Sequence, residues 1–81
     1  MKVRVRLFAV AKQVAGGESL DLELPERATI GELRRQLAAR VPALAGLSGQ
    51  MMFAVGARYA ADDAVIPPGA EVACIPPVSG G

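Results

Sequence analysis

The stretch TIGELRRQLAARVP, residues 29–42, decides the fold. Thr29 and Glu32 stand three apart ahead of an apolar-periodic run, the spacing of a capping box. In that motif the threonine hydroxyl accepts from the backbone N–H of Glu32, and the Glu32 carboxylate reaches back to the N–H of Thr29. Ile30, Leu33, Leu37 and Val41 follow at i, i+3, i+7 and i+11, so a helix starting here carries one apolar stripe. Arg34, Arg35, Gln36 and Arg40 are expected to look outward. Pro42 stops the helix, because it has no N–H to donate and its ring collides with the preceding turn. A helix with a single apolar stripe must lie on a sheet.

Upstream, Val3, Val5 and Leu7 alternate with Lys2, Arg4 and Arg6, the period-two pattern of a strand with one buried face. Leu20, Leu22 and Leu24 alternate with Asp21 and Glu23 as far as Pro25, which predicts a second strand joined to the first as a hairpin. Between them, residues 9–15 loosen into small apolar residues around Lys12 and Gln13. A loop or a single helical turn is expected there, closed by a turn at Gly16-Gly17. Downstream, residues 43–50 read as a loop pinned by Leu44 and Leu47. Residues 51–55 read as a third strand, Gly56-Ala57 as a turn, residues 58–60 as a short edge strand and residues 71–75 as the last strand. Pro68-Gly69 suits a type II turn.

A hairpin, a helical crossover and a late strand allow that last strand to lie parallel beside the first at the sheet centre. The expected architecture is therefore α+β: a mixed sheet with one main helix packed on one face, the β-grasp or ubiquitin-like roll. The other face, with Arg4 and Arg6 at its middle, is left at least partly wet.

Composition narrows the function classes. At 81 residues and 52% hydrophobic, with much of that share alanine, the chain supports one small core. Nine basic against eight acidic residues give a net charge of +1, too little field to hold nucleic acid or an anionic membrane. The single cysteine, Cys74, excludes an internal disulfide and a cysteine-cluster metal site, and without histidine the usual general base is missing. No metal is expected. Met1-Lys2-Val3-Arg4 alternates too early for a secretory leader and no apolar run approaches membrane-spanning length, so a cytoplasmic chain is expected. Cys74, in a strand that should be central, reads as a small hydrophobe. Asp62-Asp63 reads as solvated surface, and Ser79 has no base to activate it.

The tail reads differently. The chain divides into a domain over residues 1–75 and an extended tail over residues 76–81. Pro76 and Pro77 cannot extend a ladder and favour a polyproline II path away from the domain. Pro76, Pro77, Val78, Ser79, Gly80 and Gly81 together reach roughly 20 Å at ~3.3 Å per residue, enough to enter a deep pocket of another protein. Two glycines at the tip pass a channel too narrow for a Cβ and leave the terminal carboxylate as the reactive group. A carboxylate is a poor electrophile until it becomes an acyl-adenylate, after which a sulfur nucleophile can displace AMP and leave a thiocarboxylate.

A chain of this plan closely resembles the family of small, sulfur-carrying subunits of molybdopterin synthase. The resemblance lies in VRLFAVAKQVAG at residues 5–16, the helix after ATIGELRRQL, MMFAVG at residues 51–56 and, most specifically, GAEVACIPPVSGG at residues 69–81. It implies that Gly81 is adenylated by an E1-like enzyme using ATP and becomes a thiocarboxylate. The tail would then enter a large synthase subunit, in a heterotetramer, to supply the dithiolene sulfurs of molybdopterin. It further implies that catalytic residues belong to the large subunit, that this chain binds no cofactor itself, and that Phe8, Lys12 and Ile75 face the partners. Lysine at position 12 stands where arginine is common, which forgoes a bidentate contact. Gly56 stands where asparagine is frequent, and Pro68-Gly69-Ala70 replaces an Asp-Gly-Asp-type turn. Other readings stay open: a carrier for thiamine, cysteine or tRNA thiolation, an isopeptide-forming protein tag, or a β-grasp interaction module with no carrier role.

Overall fold

The alternation at the start of the chain becomes β1 (Lys2–Leu7), with Val3, Val5 and Leu7 buried and Lys2, Arg4 and Arg6 exposed. The computed structural model describes residues 1–77. Four further strands, β2 (Ser19–Glu23), β3 (Met52–Val55), β4 (Arg58–Ala60) and β5 (Glu71–Ile75), join β1 in one sheet ordered β2-β1-β5-β3-β4. β1 runs antiparallel to β2 and parallel to β5, with Val5 opposite Val72 and Leu7 opposite Cys74. β3 runs antiparallel to both β5 and β4. The last strand therefore lies parallel to the first at the sheet centre, as expected.

Two helices, α1 (Ala9–Ala15) and α2 (Ile30–Arg40), complete the plan, followed by a 3₁₀ segment at Pro42–Gln50. On α2, Ile30, Leu33 and Leu37 have no exposed surface and meet Val3, Val5, Phe53, Ile66 and Val72 in the core. Each such side chain contributes about 1.5–3 kcal/mol by leaving water. The Thr29 hydroxyl accepts from the N–H of Glu32 at 3.3 Å, as the capping box requires, whereas the reciprocal bond from Glu32 is absent among the described residues. Backbone carbonyls take over the other free donors. The N–H of Ile30 donates to Ala64 O at 3.0 Å and that of Gly31 to Asp62 O at 2.9 Å. A Cβ on Gly31 would stand 3.3 Å from Asp62 O, which is why the smallest residue occupies that turn.

The turns obey their chemistry. Gly56 and Ala57, with φ of 57° and 66°, form the two-residue connection with two left-handed residues that matches the twist of β3 and β4. Gly69 takes φ 77° and the N–H of Ala70 donates to Pro67 O at 3.1 Å, the type II arrangement.

Three expectations change. Residues 9–15 form a helix rather than a loop or one turn, so the connection between β1 and β2 is not a tight hairpin. Only Ala11 of α1 is buried, leaving no apolar periodicity to read, and the helix is instead closed by Gly16 at φ 77°, whose N–H donates to Lys12 O. The loop expected at residues 43–50 is the 3₁₀ segment, anchored by the buried Leu44, and β3 begins one residue later than predicted.

The third change concerns Arg34, which does not look outward. Its guanidinium donates to the Ser48 carbonyl, to the Met51 carbonyl at 2.7 Å and to Asp62 Oδ1 at 2.8 Å, and stands 5.0 Å from the centroid of the Phe53 ring. One side chain thus ties α2 to the 3₁₀ segment, the approach to β3 and the loop that caps α2. An arginine one position off the apolar stripe can do this because its stem lies along the core while its planar fork serves carbonyls at the rim.

Cys74 lies in β5 with no exposed surface and its thiol 3.4 Å from Met51 Sδ. Burial pushes the thiol up from 9.0 to about 11, with a smaller opposing pull from the Arg34 charge. The folded state thus holds this proton to higher pH than the unfolded chain does, so its contribution to stability is complete below pH 9 and falls as pH rises toward 11. Equilibrium urea unfolding of the wild type between pH 8 and 11 is expected to show that decline, and Cys74→Val, which cannot ionise, is expected to show less of it. Arg34→Ala should lower stability by about 2–3 kcal/mol, because two carbonyls lose a charged donor. Arg35→Ala, on the exposed side of the same turn, should stay within about 0.5 kcal/mol in the same titration.

Candidate functional site

The sheet has one face under α2 and one open face, and strand parity sets what the open face presents. From β1 it receives Lys2, Arg4 and Arg6, from β5 Glu71, Ala73 and Ile75, and from β3 Met52 and Ala54. Tyr59 of β4 stands opposite Ala54. The face is therefore divided. Over β2 and β1 it is charged and paired, Arg4 with Asp21 at 3.2 Å and Arg6 with Glu71 at 3.7 Å. Over β5, β3 and β4 it is mainly apolar, and Phe8, Ala54, Tyr59, Ala73 and Ile75 line an open groove of about 500 Å³ with Glu71 at its charged border.

Phe8 sits at one end of that groove. It is still extended, at φ −122° and ψ 155°, so it continues the outward parity of Arg4 and Arg6 and leaves 42% of its surface exposed. The Arg6 guanidinium stands 5.7 Å from its ring centroid. Because β5 runs parallel to β1, Ile75 arrives at the same end of the sheet and lines the groove with Phe8. Pro76, which is buried, and Pro77, which is exposed, follow directly. With Met52, Tyr59 and Ile75 they line a second hollow of about 330 Å³. Four of the residues expected to face a partner or lead into it, Phe8, Ile75, Pro76 and Pro77, are thereby brought together.

Lys12 is not part of that cluster. It lies one turn along α1, its N–H donating to Phe8 O at 3.4 Å, but its side chain lines neither hollow and its ammonium is paired with Glu18 at 3.2 Å. Both partners are largely exposed, so the pair is weak and easily exchanged for another carboxylate. Val78, Ser79, Gly80 and Gly81 lie outside the described residues.

Sequence reasoning missed Met52, Ala54, Tyr59 and Ala73. Met52 and Tyr59 are 50% and 65% exposed, and both belong to the apolar half-face. Their alternation with buried Phe53 and half-buried Ala60 was the available signal, but strands of four and three residues carry too short a period to assign a face. Among the described residues no cluster of three or more potential metal ligands occurs, and no helix is long and apolar enough to cross a membrane. Nothing among the groove residues forms a nucleophile–base pair. What the arrangement can do is dock: an apolar half-face bordered by paired charges, with Pro76 and Pro77 at its rim.

Comparison with known proteins agrees with this plan. The ThiS family matches residues 5–81. The molybdopterin synthase sulfur carrier subunit of Homo sapiens is 35% identical over 83 residues, spanning 99% of this chain and 94% of that protein. SAMP1 from Haloferax volcanii superposes with a TM-score of 0.86 over the whole of both chains at 28% identity. A chain from the complex of subunits 1 and 2 of molybdopterin-converting factor from Helicobacter pylori, at 23% identity, shares the fold with a TM-score of 0.69. The fold is the ubiquitin-like β-grasp. With a family match over nearly the whole length and that fold beneath it, the chain belongs to the ThiS family, as a homologue of the molybdopterin synthase sulfur carrier subunits.

Proposed function

We propose that this chain is the sulfur carrier subunit of a molybdopterin synthase, and that its reactive group is the terminal carboxylate of Gly81. The carboxylate attacks the α-phosphate of ATP within an E1-like partner, releasing pyrophosphate and forming an acyl-adenylate. A sulfur nucleophile at the oxidation level of hydrosulfide then attacks the acyl carbon. The C–S bond forms, the bond to AMP breaks, and no net oxidation occurs. The thiocarboxylate is anionic and soft, a nucleophile where the carboxylate was inert.

The observation that carries this reading is the shared end of the sheet. Parallel pairing delivers Ile75, Pro76 and Pro77 to the rim of an apolar groove that also holds Phe8. A partner that covers the groove therefore receives the tail. Val78, Ser79 and Gly80 pass through the partner's channel, and Phe8 and Ile75 are the docking anchors. Lys12 contributes a charge contact at the margin once it leaves Glu18. In this reading the chain works in the cytoplasm and binds no cofactor of its own. ATP belongs to the activating enzyme and the catalytic residues to a large synthase subunit, with which the carrier forms a heterotetramer. The relatives' name makes each of them one subunit of such a synthase.

A second reading has its own support, since SAMP1 from Haloferax volcanii, a small archaeal modifier protein by name, is among the structural neighbours at 25–28% identity. A modifier would end in an amide to a lysine amine of another protein rather than in a sulfur anion.

One preparation separates the two. The protein is isolated from cells with sulfur mobilisation intact and treated natively with a thiol-alkylating reagent near pH 7.5, and the adduct is located by fragmentation. The carrier reading expects the label on Gly81, while buried Cys74 reacts only after denaturation. A label confined to Cys74, or chiefly higher-mass species joined through Gly81 to lysines, would overturn it. Adding one residue after Gly81 should abolish thiocarboxylate formation and leave the melting temperature unchanged, because the buried core is built from residues 3–74.

A further inference from the structure

We propose that Ala9 is a positioning residue for partner docking: its left-handed backbone aims Phe8 onto the open face. The inference rests on the carrier reading for its partner and on local geometry for everything else. Ala9 takes φ 52°, a conformation unfavourable for a residue with a Cβ and common only for glycine, asparagine and aspartate. Phe8 before it is extended, and Ala9 is itself the first residue of α1. The whole reversal from strand to helix thus falls on one alanine.

Two demands meet at that junction. Phe8 must keep the outward parity of β1, where its ring stands beside Arg6 and lines the groove, while Ala11, two residues beyond Ala9, is fully buried. The Phe8 carbonyl accepts from the N–H groups of Ala11 at 3.1 Å and Lys12 at 3.4 Å, so the turn is closed on Phe8 itself. If residue 9 leaves the left-handed region, one of the two side chains must move. Ala11 sits in a closed core and Phe8 is half in water, so Phe8 is the one displaced. Strain held beside a docking residue, with no glycine to relieve it, is the signature of a conformation kept for use. Of the other two left-handed residues that carry a Cβ, Arg27 at φ 65° lies away from the groove, and Ala57 at φ 66°, which lines it, takes its φ from the two-residue turn between β3 and β4.

The test compares Ala9→Gly and Ala9→Asn, which accept the left-handed region, with Ala9→Val, which does not. Two readouts are taken on the full chain. The first needs no partner: ring-current shifts of the Arg6 side-chain protons, which report the Phe8 ring. These should persist in the Gly and Asn variants and vanish in the Val variant. The second is adenylation by the activating enzyme, where Ala9→Val should raise KM about tenfold with kcat unchanged, the size expected for losing one aromatic anchor. Gly and Asn should keep the wild-type KM. Combining Ala9→Val with Phe8→Ala should raise KM no further than Phe8→Ala alone, since both act through one ring. Arg27→Val serves as the control for lost stability and should leave KM unchanged.

An unaltered Arg6 shift and KM in Ala9→Val would overturn the proposal. So would a KM raised in Ala9→Asn or Ala9→Gly as much as in Ala9→Val, or additive effects with Phe8→Ala. Should Ala9→Val fail to fold, the Asn and Gly variants still decide, because displacement of Phe8 in either contradicts the assigned role. A wild-type chain that is no substrate for adenylation rejects the carrier reading instead, and leaves the Arg6 shifts to judge Ala9.

Discussion

The parallel pairing of β1 with β5 is the constraint on which the rest of the molecule depends. A parallel neighbour cannot be reached by a tight turn, so the chain must leave the sheet, cross it and return. α2 makes that crossing, and the 3₁₀ segment with β3 and β4 brings the chain back to the vacant edge of β1. Both central strands lie in the middle of the sheet with Val5, Leu7, Val72 and Cys74 closed to solvent. The same pairing forces two chain segments far apart in sequence, Phe8 and Ile75, to reach the same end.

A crossing of this kind needs to be held, and a small core leaves few residues to do it. Arg34 does so from the rim, joining α2 to three other parts of the chain through charge-assisted hydrogen bonds while its stem adds to the apolar layer. Among the described residues no buried side-chain nitrogen or oxygen lacks a partner, so the polar groups of this layer carry no desolvation debt. The ion pairs on the open face are of another kind. Arg4–Asp21 and Arg6–Glu71 are solvent-exposed and add little stability, but they keep one half of the face hydrated while the other half stays apolar.

Division of labour follows from that division of surface. The chain has no histidine, and its one thiol is locked in the core. It does offer a platform of paired strands around Phe8, Ile75 and Pro76, which suits the proposed tail-borne chemistry. Rigidity matters because a partner that must thread a tail gains most from anchors already in place. Left-handed Ala9, extended Phe8 and the two prolines all limit local freedom near the exit, and each does so through the backbone rather than through contacts that a partner would have to break.

Elements with strong periodicity or obligatory chemistry were legible from residue order alone: β1 from its alternation, α2 from its stripe and threonine cap, β5 between Gly69 and Pro76, and the turns at Gly56 and Gly69. From these the roll followed. What residue order could not tell was anything that depends on a neighbour distant in sequence. α1 buries a single alanine and so has no pattern. Arg34 reads as an outward cation until the carbonyls of Ser48 and Met51 are brought to it. Tyr59 and Met52 become part of a groove only when β3 and β4 are laid beside β5 in a definite register. The Pro-Pro-Val-Ser-Gly-Gly ending is a local feature of residue order; the open face beside Ile75 and Pro76 is an alignment of strands, and alignment exists only once the chain has folded.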